Sequence, residues 1–221
     1  MSDSTKDGSK PPLMDKEKEE KKLLDNWTNS FKSLFSGATD EEIALKEHKR
    51  CEKWKKSLIK NNSLIEFMLE NLKKSGCEFD VEKHFKCVPC DFKRSGGFSP
   101  ELGIILCQNR FSSKRHLQDT LTHEMIHAFD QCTTKVNFNN CEQHACAEIR
   151  AINLSGECKF LTEVKRGNFG FASHHQKCVK RRALITLKDL DCCKGENVAE
   201  DALLHVWKSC FNDKAPFDEI Y

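Results

Sequence analysis

No apolar run in this 221-residue chain approaches the roughly 20 residues needed to cross a bilayer; the longest, such as Gly103 to Cys107, have the length of a strand. Any membrane association is therefore expected to be peripheral. An excess of one charge is also missing: 36 Lys and Arg against 34 Asp and Glu leave a formal net charge of +2. A dedicated nucleic-acid binder carries a clear basic surplus, so no nucleic-acid partner is expected. Phosphate-binding glycine loops, dinucleotide fingerprints and internal repeats are absent as well. Residues 1–22 lack the apolar core of a secretory signal, and they contain acidic residues but no Arg, which disfavours a mitochondrial presequence. Ser, Asp, Lys, Glu, Gly, the Pro11-Pro12 pair and the charge run from Lys16 to Lys22 predict a disordered polar leader. Residues 23–221 are expected to form one domain.

Cysteine, by contrast, is abundant. Thirteen are spread from Cys51 to Cys210. That density points to disulfides and an oxidising compartment, which conflicts with the missing secretory signal. The mitochondrial intermembrane space reconciles the two. At least four disulfides are expected, with Cys87 and Cys90 each joined to a distant partner, because long loops remove more entropy from the unfolded chain. The odd count leaves one thiol over. A structural zinc at Cys87-x-x-Cys90 is the alternative, though no second CxxC or H-x3-H accompanies it.

The periodicity predicts an α+β fold that is mainly helical and disulfide-rich, with a small sheet preceding a metal-binding helix. An N-terminal helical region spans 40–74, where Trp54, Leu58, Ile65, Met68 and Leu72 share one stripe, and Ser75-Gly76 ends it. This helix is expected to pack on the domain; a membrane-surface helix is the alternative. Residues 77–111 read as the sheet with its turns, and the segment from Gly96 to Cys107 as a plain core strand or, alternatively, a sheet edge able to pair with extended substrate. Metal-binding helices follow over 113–158, at about 113–131 and 141–154. C-terminal helices near 158–166, 173–188 and 196–209 complete the chain.

His123-Glu124-Met125-Ile126-His127 is a complete H-E-x-x-H. Histidines four apart project from one face of a helix, so both imidazoles can bind a single Zn²⁺. Glu124 is then the expected catalytic base, placed to take a proton from water at the metal. Leu117, Leu121, Met125 and Phe129 recur every four residues on roughly the opposite side, as a core-facing stripe would. A catalytic zinc needs a third protein ligand from a following helix. His144 and Glu148 share a face there. Glu148 is expected, because Glu148-Ile149-Arg150-Ala151 resembles the ligand helix of membrane-linked Glu-type zinc proteases; Ile152, where those families often place Asp, is the departure. His144 stays the alternative third ligand. Asp130, three residues after His127, is either a support for a ligand imidazole or a solvent-bound helix end. His174 and His175 are available to stabilise an oxyanion.

Gly96-Gly97-Phe98, Leu106-Cys107-Gln108-Asn109, the H-E-x-x-H with Ala128-Phe129-Asp130, the segment from His144 to Ala151, and the run from Asn153 to Cys158 together resemble the mitochondrial inner-membrane metalloprotease family that matures an ATP-synthase subunit. Cys210-Phe211-Asn212-Asp213 with Pro216-Phe217 fits the same pattern, so the likeness covers roughly 50–221. It implies a zincin-like metalloprotease domain with one catalytic Zn²⁺. It further implies a soluble protease of the intermembrane space, attached peripherally to the inner membrane. Its protein substrate would be the precursor of a membrane-embedded ATP-synthase subunit, and it would assist assembly of that membrane sector. Two rival readings are a non-catalytic assembly chaperone and a nuclear zinc protein binding DNA through Lys177-Cys178-Val179-Lys180-Arg181-Arg182. That basic cluster also reads as one face of a helix whose other side carries Ala183, Leu184 and Leu187.

Overall fold

The computed structural model describes residues 39–91, 93–159 and 174–218, so the expected leader and most of the helix expected at 158–166 lie outside it. The chain divides into residues 1–43, of which 39–43 are described, and a compact unit of residues 44–221. A capping box opens helix α1 (Asp40–Asn61): Thr39 Oγ1 accepts from the Glu42 N–H while Glu42 Oε2 accepts from the Thr39 N–H. The single helix expected over 40–74 is in fact two. Asn62 is extended (φ −115°, ψ 112°), and its side-chain oxygen accepts from the N–H groups of Leu64 and Ile65, capping helix α2 (Ser63–Lys74). An apolar stripe survives the break, since Leu58, Ile65, Met68 and Leu72 are all buried and Trp54 packs beside them.

A one-turn helix α3 (Val81–His84), capped by Asp80, delivers the chain into strand β1 (Phe85–Val88). Strands β2 (Gly96–Ser99) and β3 (Gly103–Cys107) complete a three-stranded sheet of order β1-β3-β2, with β1 parallel and β2 antiparallel to β3. The segment from Gly96 to Cys107 holds both of the strands weighed for it: β3, buried along nearly its whole length, is the central strand, and β2 is an edge. Lys55, 2% exposed, ties α1 to β1 by donating to Glu52 and to the Phe85 carbonyl, each at 2.8 Å. Those partners compensate a cation that burial would otherwise penalise.

Ser113 caps helix α4 (Lys114–Thr134), and Asn140 caps helix α5 (Cys141–Leu154). Helix α6 (His174–Lys188), a 3₁₀ turn (Asp191–Cys193) that the sequence pattern does not predict, and helix α7 (Val198–Asn212) follow. Two apolar cores result. The first joins α1, α2, the sheet and α4; the second joins α5, α6, the 3₁₀ turn and α7. Helix α5 serves both, with Ala151 and Leu154 in the first and Ala145, Ile149 and Ile152 in the second. That burial accounts for the apolar residue at position 152.

Six disulfides staple this arrangement. Cys51–Cys87, Cys77–Cys132 and Cys90–Cys107 secure the first half; Cys141–Cys193, Cys146–Cys210 and Cys158–Cys178 secure the second. Cys87 and Cys90 thus have separate partners 36 and 17 residues away, as expected, and the structural-zinc alternative loses both of its thiolates. Cys192 is the one free cysteine. Alkylation before reduction should therefore label Cys192 alone, and after reduction all thirteen cysteines. The melting temperature should fall sharply on reduction, since each bridge contributes about 3 to 5 kcal/mol in the loop model. Several labelled thiols in the unreduced protein would contradict the pairing.

Candidate metal and catalytic site

Helix α4 is buried on nearly every side. Leu117, Leu121 and Met125 sink into the first core, while His123 and His127 turn toward α5. The two imidazoles point their Nε2 atoms at each other, 3.0 Å apart. Glu148 of α5 meets them from across the gap, with Oε1 3.4 Å from His127 Nε2 and Oε2 3.9 Å from His123 Nε2. One donor atom from each of the three lies within 4.8 Å of the others. Ligands at about 2.0 Å in tetrahedral geometry would stand about 3.3 Å apart, so the three donors need only small adjustments to hold one ion. His144 is outside this group: its Nε2 is 3.9 Å from Glu148 Oε1, its Nδ1 faces the Phe138 carbonyl at 3.4 Å, and its ring packs edge-on against Phe138.

A carboxylate that the sequence reading did not single out completes the cluster. Glu157 Oε1 lies 2.7 Å from His123 Nδ1, and its other oxygen pairs with Arg182 of α6. Such a pairing orients an imidazole and fixes which nitrogen is free for a metal. Gly156, at φ +86°, is what turns the chain after α5 so that Glu157 faces back into the site. The Ser-Gly stop after α5 was visible in the sequence, but its role in aiming the next residue was not. Asp130 takes neither expected role. Arg150 donates to it through Nε and Nη2 at 2.9 to 3.1 Å, and to the Asp213 and Ala215 carbonyls at 3.0 and 2.6 Å. A full guanidinium charge with forked donors outcompetes an imidazole for this carboxylate. His175 is also committed elsewhere: its Nε2 lies 2.7 Å from Asn153 Oδ1 and its Nδ1 3.4 Å from the Cys158 carbonyl, while His174 sits beside it at the start of α6.

The electrostatics follow from crowding these groups in a dry place. Burial opposes charge on His123, yet the charge and hydrogen bond of Glu157, with Glu124 and Glu148 behind, carry its pKa up to about 9. Glu148 moves the other way, to about 2, because His127 and then His123 outweigh its burial. Burial dominates at Glu124 and raises its pKa against the pull of both histidines. That shift brings a carboxylate toward the range useful for proton transfer near neutral pH. Glu124 also borders β2. A Cβ on Gly96 would lie 2.8 Å from Thr120 Cγ2 and 3.3 Å from Glu124 Oε1, so the edge strand approaches the base through a residue without a side chain.

A model of the peptidase M76 family, a metallopeptidase family, matches residues 49–218. A curated protein of Vanderwaltozyma polyspora, "Mitochondrial inner membrane protease ATP23", is 42% identical over 216 residues, covering 92% of this chain and 81% of its own length. Its namesake in Coccidioides immitis is 43% identical over 201 residues, covering 90% and 84% respectively. The corresponding protein of Schizosaccharomyces pombe is 42% identical over 183 residues, covering 82% and 98%. No solved structure matches.

The arrangement ranks the side chains by their effect on metal affinity. With Zn²⁺ as the probe in competition with a chelator, Glu148→Ala should lose far more affinity than His144→Ala. Glu157→Gln should fall between them, at about 10- to 100-fold. A larger loss for His144→Ala than for Glu148→Ala would transfer the ligand role to His144.

Proposed function

Because the chain belongs to the peptidase M76 family, we propose that it is a zinc-dependent endopeptidase of the mitochondrial intermembrane space, attached peripherally to the inner membrane. Its substrate in this reading is the N-terminal extension of a membrane-embedded ATP-synthase subunit precursor, and it also assists assembly of that membrane sector. The convergence of His123, His127 and Glu148 beside a buried Glu124 carries the proposal. Six disulfides favour an oxidising compartment. The relatives' name supports the mitochondrial inner membrane as the place of work. No helix among the described residues is long and apolar enough to cross a membrane, which fits peripheral attachment. The substrate and the assembly role rest on the motif resemblance.

His123 and His127 would hold the ion through Nε2 and Glu148 through a carboxylate oxygen. When bound, zinc supplies a Lewis acid that acidifies water and polarises a peptide carbonyl. Glu124 takes the proton of the attacking water on its carboxylate and returns it to the leaving amine. Glu157 keeps His123 turned with Nε2 inward; against its burial, His123 and then Arg182 keep Glu157 ionised, and Arg182 holds its other oxygen in place. The edge of β2 offers unpaired backbone groups along which an extended tail can lie. The basic cluster of α6 has work inside the protein: Arg182 serves Glu157, and Lys180 stacks over Trp207 at 4.5 Å. This favours the peptidase over the DNA-binding rival.

Glu124→Gln should retain the fold and stoichiometric zinc while peptide cleavage falls by about 100- to 10,000-fold, because the amide cannot accept the proton. Metal analysis alongside a peptide assay checks it, and undiminished cleavage would remove the hydrolase assignment. Complementation of a strain lacking the protein then separates the two roles: assembly should survive this substitution.

A further inference from the structure

A cavity of about 480 Å³ opens beside the C-terminal half of α4. Phe79, Phe98, Ala128 and the Cys77–Cys132 disulfide are among its mainly apolar walls, and Gln131 contributes an amide. Glu124, Ala128 and Gln131 are spaced i, i+4, i+7, so they form one stripe of α4. At 1.5 Å per residue, Ala128 lies about 6 Å and Gln131 about 10 Å along the axis from the base. Strand β2 follows the same stripe. Gly96 abuts Thr120 and Glu124, and Phe98, two positions on and therefore on the same sheet face, reaches the cavity wall. A peptide laid along this edge advances about 3.3 Å per residue. With its scissile bond at Glu124, it passes the cavity about two to three residues away.

We propose that this cavity is a specificity subsite that receives a large apolar side chain of the substrate, aromatic or long aliphatic, two or three residues from the scissile bond. The proposal rests on the peptidase reading, to which it adds a substrate preference. Phe98 supplies the apolar contact.

Fluorogenic decapeptides that differ only by Phe or Ala at one scanned position provide the probe, cleaved by the zinc-loaded full chain. The wild type should prefer Phe over Ala by about 10-fold or more in kcat/KM at one position two or three residues from the cut, and at no position on the other side of it. Phe98→Ala should bring this ratio to near unity, chiefly by lowering kcat/KM for the Phe peptide. Absence of any positional preference in the wild type, or a Phe98→Ala protein that slows both peptides equally, would overturn the proposal. Anisotropy titrations of labelled, uncut peptides on the Glu124→Gln protein give a readout independent of turnover. If no peptide is cleaved yet the Phe peptide binds about 10-fold tighter and loses this advantage with Phe98→Ala, the hydrolase reading fails while the subsite stands. Equal binding of both peptides would count against the subsite.

Discussion

Glu124, Glu148 and Glu157 are all buried within reach of the same two imidazoles, and this crowding constrains everything around it. Uncompensated carboxylates in such a place would be costly, so each needs a cation or a proton. Glu148 and Glu157 obtain cations, from the histidines and from Arg182, and their pKa values fall. Glu124 receives less help and its pKa rises instead. Neighbouring carboxylates thus acquire different chemistry from different surroundings, one suited to moving a proton and two to holding charge. A divalent ion among the three donors would complete the compensation.

Holding these groups together requires α4 and α5 to stay in register. The buried Arg150–Asp130 pair links the two helices directly, and the same guanidinium fastens the segment around Asp213 and Ala215. Beyond that clamp, the first three disulfides tie α1, α2 and the sheet around α4, while the other three tie α6, α7 and the 3₁₀ turn around α5. Among the described residues no disulfide crosses from one half to the other. The site lies where the halves meet, spanned by His123–Glu157, Glu157–Arg182 and Arg150–Asp130, side-chain pairings from residues distant in sequence. Rigidity is thereby concentrated outside the site, and the polar groups that would bind metal are oriented by hydrogen bonds.

Much of this was legible in the residues because it depends on local periodicity. The i, i+4 histidines, the apolar stripe of α4, the second ligand helix and the small preceding sheet all come from spacings within one element, which helix and strand geometry convert directly into faces. Other features depended on partners far along the chain. Asn62 ended a helix because its side chain capped the next one, although the apolar stripe ran on through it. Asp130 looked available to His127 until Arg150, twenty residues later, arrived beside it.

The sequence by itself therefore determined that two imidazoles share one helical face, and that thirteen cysteines demand bridges. Only the tertiary structure decided that Glu148 approaches those imidazoles more closely than His144, that Glu157 and Arg182 brace His123, that β2 and not β3 forms the sheet edge, and which cysteines pair. The reason is that helical spacing sets the direction of a side chain within its own element, whereas its partner depends on how separate elements pack, and packing is settled by the burial of both cores together.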